Sequence, residues 1–223
     1  MSRRSIKSIS SDVDLSGVFR LYSELPFPFN SEVLFGRSGA IEFEIGSGKG
    51  RFLRRVSDEF VDRDFIGVEM SLKFARIAAS KLLNRSCNNA LVICCDAAKL
   101  LSEWFPDNFL HAVHVYFPDP WWKHAHRKRR ILREDVLRLI ERRLMPGGFL
   151  YFRTDVEEYF RSTLALIDKC TTQLEQIDVE ISDELSATDT DYNTHFERRT
   201  ILQGQKVFRT KFKKIYRKPM NSL

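Results

Sequence analysis

The chain has 223 residues, and 43% of them are hydrophobic, including 18 phenylalanines. This is enough apolar material for the core of one substantial domain, and it excludes a wholly disordered chain. The net charge of +6 and the isoelectric point near 9.2 favour an anionic partner without identifying one.

The cysteines show neither the spacing of a metal site nor that of a disulfide framework. Cys94 and Cys95 are adjacent, and neither they nor Cys87 and Cys170 form a CxxC pair or stand near paired histidines. We therefore expect reduced thiols, no metal and a cytoplasmic location. The N-terminal MSRRSIKSISS is basic but is followed by no apolar segment, so no secretory signal is expected. No stretch approaches the roughly 18 apolar residues of a membrane span.

Residues 1–35 lack a clear periodicity and contain Pro26 and Pro28, so we expect a flexible, partly basic lead-in that is rich in loops. From residue 36 to residue 223 the pattern predicts a single domain. Strands are predicted at 40–45, 65–69, 90–95, 110–117 and 149–154, and helices at 51–60, 72–83, 97–105, 131–144 and 156–170. A strand at 174–181, a polar loop at 182–199 and a closing strand at 205–216 are predicted to follow.

This alternation predicts an α/β fold: a doubly wound, mostly parallel sheet of about seven strands with helices on both faces. The segment Met145-Pro146-Gly147-Gly148 is expected to end the helix before the fifth strand. In such sheets, ligands bind outside the carboxyl ends of the strands. The residues that follow each predicted strand are therefore the candidate site.

A glycine-rich turn follows the first strand of the domain. The sequence from Glu44 to Gly50 reads EIGSGKG, in which Gly46, Gly48 and Gly50 let the backbone turn sharply and approach a ligand. Glu69 closes the second strand about 20 residues further on, where an acid can accept the hydroxyls of an adenosine ribose. A purely structural turn would look the same. A nicotinamide site expects GxGxxG, whereas GxGxG preceded by an acid fits the cationic S-adenosylmethionine better.

Acids also end the next three predicted strands. Asp96 could accept a hydrogen bond from an adenine amino group, or it could simply cap the helix that follows. Asp119 stands between Pro118 and Pro120, neither of which can donate a ladder hydrogen bond, so this acid is presented on a stiff turn. Asp155 follows the fifth strand. Acids at five successive strand ends are more specific than any one of them.

Two tryptophans and a cationic run complete the stretch YFPDPWWKHAHRKRR, residues 116–130. One of Trp121 and Trp122 could stack on a splayed base, while the other serves as a core or lid residue. The run HRKRR at 126–130 consists of basic residues that repel one another, which phosphate contacts would compensate. A solvated helix lead-in would look similar.

Together these motifs resemble the tRNA (guanine-N7-)-methyltransferase family of the bacterial stand-alone type. The resemblance covers about residues 40–200. It rests on EIGSGKG (44–50), GVE (67–69), FPDPWWKHAHRKRR (117–130), TDVEEY (154–159) and THFERR (194–199). It implies a class I methyltransferase fold, S-adenosylmethionine as cofactor and methylation of a guanine in the variable loop of tRNA.

The resemblance also implies roles for individual residues. The acids implied to contact the cofactor are Glu44, Glu69, Asp96 and Asp119, beside the turn glycines Gly46, Gly48 and Gly50, and Asp119 is also the implied catalytic residue. The residues implied to contact the guanine-bearing substrate are Lys123, Asp155, Thr194, His195, Phe196 and Glu197. Those implied to hold RNA are His126, Arg127, Lys128, Arg129 and Arg130. We expect tRNA as partner, no membrane and no obligate protein partner, with the chain acting as a monomer or homodimer.

Other functions stay open at this point. An exocyclic amino-methyltransferase would use a DPPW-like turn, but here an aspartate separates the two prolines. A basic RNA-binding protein could keep a methyltransferase fold without catalysis, which the intact glycines and acids argue against. A nicotinamide-dependent oxidoreductase is a distant third.

Overall fold

The computed structural model describes residues 9–10, 12–84, 88–122, 124–182 and 204–216. The strands are β1 (Phe19–Leu21), β2 (Ala40–Ile45), β3 (Arg63–Glu69), β4 (Ala90–Cys94), β5 (Leu110–Tyr116), β6 (Leu144–Thr154), β7 (Leu174–Ser182) and β8 (Val207–Lys214). The α-helices are α1 (Ser31–Phe35), α2 (Arg51–Glu59), α3 (Leu72–Leu83), α4 (Ala97–Glu103), α5 (Glu134–Arg143) and α6 (Glu157–Cys170). Short 3₁₀ helices span Tyr22–Glu24 and His124–Arg129.

All eight strands belong to one sheet, in the order β1-β4-β3-β2-β5-β6-β8-β7. The pairs from β1 to β6 are parallel, and β8 is antiparallel to both β6 and β7. This confirms the predicted doubly wound, mostly parallel sheet, with eight strands instead of about seven. After β2 the chain winds first toward β3 and β4 and later toward β5 and β6. The carboxyl end of β2 therefore lies at the topological switch point, where ligands bind in such sheets.

The two faces of the sheet are covered by different helices. In β4, Leu91 and Ile93 join one buried cluster, whereas Ala90 and Val92 join the other, as the period of a strand requires. The first cluster contains the apolar faces of α4, α5 and α6, and the second contains those of α2 and α3. Among the helices of the described residues, none is long and apolar enough to cross a membrane.

Short elements that were not predicted lie within residues 1–35. Strand β1 pairs in parallel with β4, and Phe19 lies opposite Val92. Leu15 and Val18, which precede it, are buried in the same cluster as α2 and α3. A three-residue strand is too short to show a period, so the sequence carried no signal for it. Residues 1–8 lie outside the described part of the chain.

The boundary after α5 also differs from the prediction. The helix ends at Arg143, and Leu144 already begins β6, so Met145 to Gly148 belong to a strand instead of a helix stop. The pairing of β5 with β6 shifts register between Leu110 and Ala112 at this point. A Cβ on Gly148 would lie 2.9 Å from the Met145 carbonyl oxygen, so the bend admits only glycine there.

A buried charged network begins on β2. Glu42 is 4% exposed; its Oε1 accepts a hydrogen bond from Arg63 at 2.8 Å, and its Oε2 lies 2.9 Å from His114 Nε2. The other ring nitrogen of His114 lies 2.8 Å from the Tyr116 hydroxyl. Because an ionised carboxylate can only accept, Nε2 donates to Glu42, and a neutral imidazole can then accept from Tyr116. A neutral His114 therefore satisfies both neighbours.

Burial lowers the pKa of His114. Burial opposes the ionisation of Glu42, but the hydrogen bonds from His114 and Arg63 outweigh it and lower the pKa of that carboxyl. In the unfolded chain a histidine titrates near pH 6.5, a pH at which the folded His114 is still neutral. The unfolded state therefore binds a proton at this histidine first as the pH falls. The contribution of neutral His114 to the free energy of unfolding is complete above about pH 6.5 and is lost progressively below it.

We predict that His114→Gln flattens the pH dependence of stability. Wild-type protein should lose free energy of unfolding between pH 7 and pH 5.5, and the variant should lose less because its carboxamide does not titrate in that range. Urea unfolding followed by circular dichroism at both pH values measures this. His126→Gln, outside the network, is the matched control. An unchanged pH dependence in the His114 variant would contradict the assignment.

Candidate active site

The glycine turn joins β2 to α2 at the switch point. Gly46, Gly48 and Gly50 all have left-handed backbones, with φ of 80°, 52° and 67°. Among the described residues, a Cβ on Gly46 would meet nothing within 4 Å, and one on Gly48 would meet only the Gly46 carbonyl oxygen, at 4.0 Å. On Gly50 it would lie 2.7 Å from the Ala78 Cβ of α3. The first two glycines thus leave open space at the strand end, whereas the third allows α2 and α3 to pack closely.

Glu69, at the end of β3, holds this turn in place. One oxygen of its carboxylate accepts a hydrogen bond from the Gly48 amide at 2.9 Å, and the other accepts from the Ser71 amide at 2.8 Å. The amides of Gly46 and Ser47 both donate to the Val68 carbonyl oxygen at 2.9 Å. Each carboxylate oxygen keeps a second lone pair, so Glu69 can still accept hydrogen bonds from the hydroxyl groups of a ligand.

Glu44 is a buried acid without a neutralising partner. It is 5% exposed, and its Oε2 has no hydrogen-bond partner among the described residues. Burial raises the pKa of Glu44 to about 8; the nearby Glu69 carboxylate adds to the rise, and Ser47 opposes it. The side chain is therefore protonated at neutral pH and would be stabilised in its ionised form by a cation.

Gly67 is a structural requirement of the site that was not among the predicted site residues. A Cβ at this position of β3 would lie 2.3 Å from both the Ser47 hydroxyl and the Leu53 Cδ1 atom. Any side chain would therefore displace the glycine turn and α2 from the sheet. A glycine inside a predicted strand is the signal that could have found it, because such glycines often mark close approach.

Asp96, after β4, caps α4. Its Oδ1 accepts a hydrogen bond from the Ala98 amide at 2.8 Å. The structure thus gives this exposed acid the capping role, which is compatible with the predicted contact to an adenine amino group. Met70, which directly follows Glu69 at the neighbouring strand end, is 74% exposed.

Asp119 lies on a constrained turn after β5. The acid is exposed between its two prolines, and the residues just outside them, Phe117 and Trp121, have φ of 48° and 47°. Aromatic residues seldom adopt this left-handed backbone, and such strain is typical of functional sites. The Phe117 amide donates to the Arg153 carbonyl oxygen at 2.8 Å, which fixes the turn to β6. Asp155 is half-buried just beyond the end of β6.

The basic residues after this turn fall into two groups. Lys128 and Arg129 are exposed, and Arg129 lies over the Trp121 ring at 5.1 Å. His126 contacts the same ring edge to face at 5.9 Å. Arg130 is only 7% exposed and is hydrogen-bonded within the protein, which does not fit the predicted contact with RNA.

Several predicted site residues lie outside what the structure describes. They are Lys123, Thr194, His195, Phe196, Glu197 and the side chain of Arg127. The described ones that converge on the carboxyl edge of the sheet are Glu44, Gly46, Gly48, Glu69, Asp96, Asp119 and Asp155.

These residues fit S-adenosylmethionine. The unpartnered oxygen of Glu44 suits a cation, the free lone pairs of Glu69 suit ribose hydroxyls, and the open space at Gly46 and Gly48 suits a ligand lying against the backbone. A pyrophosphate would be repelled by the Glu69 carboxylate and would oppose the ionisation of Glu44. The donor set therefore favours a sulfonium cofactor over a dinucleotide.

Comparisons with known proteins find relatives over most of the chain. The family model described as "Putative methyltransferase" matches residues 38–210. The tRNA (guanine-N(7)-)-methyltransferase of Rhodopirellula baltica is 37% identical over 219 residues, which cover 96% of this chain and 80% of that protein. The chain belongs to the tRNA (guanine-N(7)-)-methyltransferase family. The methyltransferase of the same name from Dechloromonas aromatica is 32% identical over 189 residues, covering 84% of this chain and 74% of that protein. Membership makes the protein an S-adenosylmethionine-dependent methyltransferase.

Solved structures of more distant methyltransferases share the fold. An antibiotic-related methyltransferase superposes with a TM-score of 0.56 at 15% identity, covering 82% of this chain and 90% of that one. A 30S ribosomal A1408 methyltransferase from an uncultured bacterium superposes with a TM-score of 0.54 at 17% identity, covering 82% and 91%. At these identities the likeness concerns the fold alone.

We predict that cofactor binding releases a proton from Glu44. Because the free acid has a pKa of about 8, binding a cation beside it at pH 7 should ionise it. Titration calorimetry of S-adenosylmethionine in buffers of different ionisation enthalpy counts the released protons. The Glu44→Gln methyltransferase should release fewer, whereas Glu32→Gln on α1 should match wild type. Equal release by the Glu44 variant and wild type would contradict this protonation state.

Proposed function

We propose that the protein transfers the methyl group of S-adenosylmethionine to N7 of a guanine in the variable loop of tRNA. The observation that carries this proposal is the shared edge of the sheet. The acids and glycines that fit the cofactor end β2 and β3, and the Asp119 turn follows the adjacent β5. The exposed cations Lys128 and Arg129 follow the same turn, in the 3₁₀ helix His124–Arg129. The names of the relatives support the choice of tRNA guanine as substrate.

Guanine N7 needs little help from acid–base catalysis. It carries an in-plane lone pair at neutral pH, so no general base has to remove a proton before attack. When bound, the cofactor supplies an electrophilic methyl group on a sulfonium centre. The role of the protein is then mostly to hold the base in line and to exclude water, which can contribute about 7–11 kcal/mol to lowering the barrier.

Acids at the strand ends suit the guanine. The N1–H and the exocyclic amino group of guanine are donors, and carboxylates such as Asp155 and Glu197 can accept from them. Methylation adds positive charge to the base, which the exposed Asp119 carboxylate would stabilise. Lys123 and the segment from Thr194 to Phe196 would complete the substrate pocket, by resemblance to the family.

The exposed cations would hold the tRNA backbone. Lys128 and Arg129 lie at the end of the 3₁₀ helix His124–Arg129, which follows the Asp119 turn, so phosphates that flank an inserted guanine would be within their reach. Half-buried His126 and the adjacent Arg127 belong to the same segment. Exposed Trp122, with 70% of its surface accessible, offers a face on which a base could stack.

We predict a single labelled product when the purified protein is incubated with unmodified tRNA and methyl-labelled S-adenosylmethionine. It should be 7-methylguanosine in the variable loop, which cleavage at the alkali-labile N7-methylated base maps to one nucleotide. Label on an exocyclic nitrogen would support an amino-methyltransferase instead. The absence of both label transfer and cofactor binding would support a non-catalytic RNA-binding protein.

We predict that Asp119→Ala lowers kcat at least about 100-fold, as the loss of one transition-state partner typically does. The acid is exposed, so the fold should survive, which circular dichroism can verify. Methyl incorporation into tRNA measures the activity. Asp168→Ala, an exposed acid on α6, is the matched control and should keep wild-type activity. Full activity of the Asp119 variant would rule out the assigned role.

A further inference from the structure

Arg130 is buried at the end of a basic run whose neighbouring members, Lys128 and Arg129, are exposed. It is 7% exposed, and its guanidinium makes hydrogen bonds in three directions. Nε donates to the Pro120 carbonyl oxygen at 2.8 Å. The two Nη atoms donate to Glu158 at 2.5 Å and 3.4 Å, and Nη1 also donates to the Ser162 hydroxyl at 3.2 Å.

Among the described residues, every side-chain partner of the Arg130 guanidinium lies on helix α6. Glu158 and Ser162 lie one turn apart on α6, and the guanidinium also lies 4.4 Å from the centre of the Tyr159 ring. The planar fork of arginine can meet a carbonyl, a carboxylate and a ring face at once, whereas a lysine ammonium cannot reproduce this geometry. Arg130 therefore joins the Asp119 turn to the first turns of α6.

The Asp119 turn has few backbone donors of its own. Neither Pro118 nor Pro120 has an N–H group, so the peptide units around Asp119 can form few backbone hydrogen bonds. The residues on either side of the prolines have positive φ, a conformation that persists only when its surroundings enforce it. The hydrogen bond from Arg130 Nε to the carbonyl oxygen of Pro120, the residue after Asp119, supplies such a constraint.

Helix α6 also begins directly after the second acid of the site. Asp155 lies two residues before Glu157, the first residue of α6, and three residues before Glu158. Through Glu158, Arg130 therefore links the position of the Asp119 turn to that of the Asp155 strand end. Tyr159 belongs to the same contact, because its hydroxyl accepts a hydrogen bond from the Leu132 amide at 3.4 Å.

We propose that Arg130 is a positioning residue for methyl transfer, which fixes the Asp119 turn against α6 and so sets the placement of Asp119 relative to Asp155. It does not bind tRNA phosphate. This role rests on the proposed function in one respect only, that Asp119 acts on the guanine.

Steady-state kinetics distinguish positioning from phosphate binding. Arg130→Lys and Glu158→Ala should each lower kcat about 10- to 100-fold, because small misplacements of reacting groups are costly. The KM for tRNA and its dependence on salt should stay unchanged. Lys128→Ala, as comparison, should raise KM and weaken the salt dependence with kcat kept. Arg130→Gln removes the charge, so a higher KM, a weaker salt dependence and an unchanged kcat in this third variant would make Arg130 a phosphate ligand and overturn the proposal.

Hydrogen exchange tests the same contact without the reaction. In Arg130→Lys and Glu158→Ala, the amides of Phe117 and Leu132, which donate to the Arg153 carbonyl oxygen and to the Tyr159 hydroxyl, should exchange faster, while those of α3 keep wild-type rates. In Lys128→Ala the turn should exchange as in wild type. Unchanged exchange of the turn in both Arg130 and Glu158 variants would overturn the proposal whatever the substrate is. Conversely, a wild-type protein that makes no 7-methylguanosine would contradict the proposed function, while the exchange data would still decide the contact.

If Arg130→Lys fails to fold, Glu158→Ala carries the test, because Glu158 is 44% exposed at its side chain and its loss leaves the core intact. The double variant Arg130→Lys/Glu158→Ala should lose no more kcat than the worse single variant, since both remove one contact. Fully multiplicative losses would show that the two residues act separately, and would overturn the link to α6.

Discussion

The carboxylate of Glu69 is the interaction on which the arrangement of the cofactor edge depends. One of its oxygens accepts a hydrogen bond from the Gly48 amide, and the other accepts one from the Ser71 amide. The carboxylate thus joins the end of β3 to the glycine turn and to the start of α3. Two close approaches make this possible: Gly67 lets α2 reach the sheet, and Gly50 lets α3 reach α2. The glycine turn therefore has its shape before any ligand arrives. A preformed backbone reduces the entropy that binding must overcome.

Two glutamates on β2 show how neighbouring groups determine whether a buried carboxyl group is ionised. Glu42 and Glu44 are two residues apart and thus point to the same face of the sheet. Glu42 has Arg63 and His114 as donors and stays ionised in spite of burial. Glu44 is buried, has no cation beside it among the described residues and lies near the Glu69 carboxylate, which together raise its pKa to about 8. The first acid is a structural anion, whereas the second is prepared for a cation that the described part of the protein does not provide.

Strand ends were the part of the site that the sequence could predict. The alternation of strands and helices places Glu44, Glu69, Asp96 and Asp119 at one edge, because all parallel strands of a doubly wound sheet end on the same side. The role of Arg130 could not be predicted in this way. Its partner Glu158 is distant in sequence, and only the packing of α6 brings the two together. Strand β1 escaped prediction for a similar reason, since its partner β4 lies far along the chain and its own three residues show no pattern.

The pairing of β1 with β4 has a consequence for the order in which the chain assembles. Phe19 is synthesised long before Val92, and β2 and β3 both emerge between them. The first strand of the protein therefore has no edge to join until the β2–α2–β3–α3–β4 unit is complete. Long-range pairings of this kind form late, because the loop they close is entropically expensive until the intervening structure exists. On the ribosome, residues 12–21 would thus remain without their partners while the β2–α2–β3–α3–β4 unit folds. They would then pair with β4 at the outer edge of the sheet.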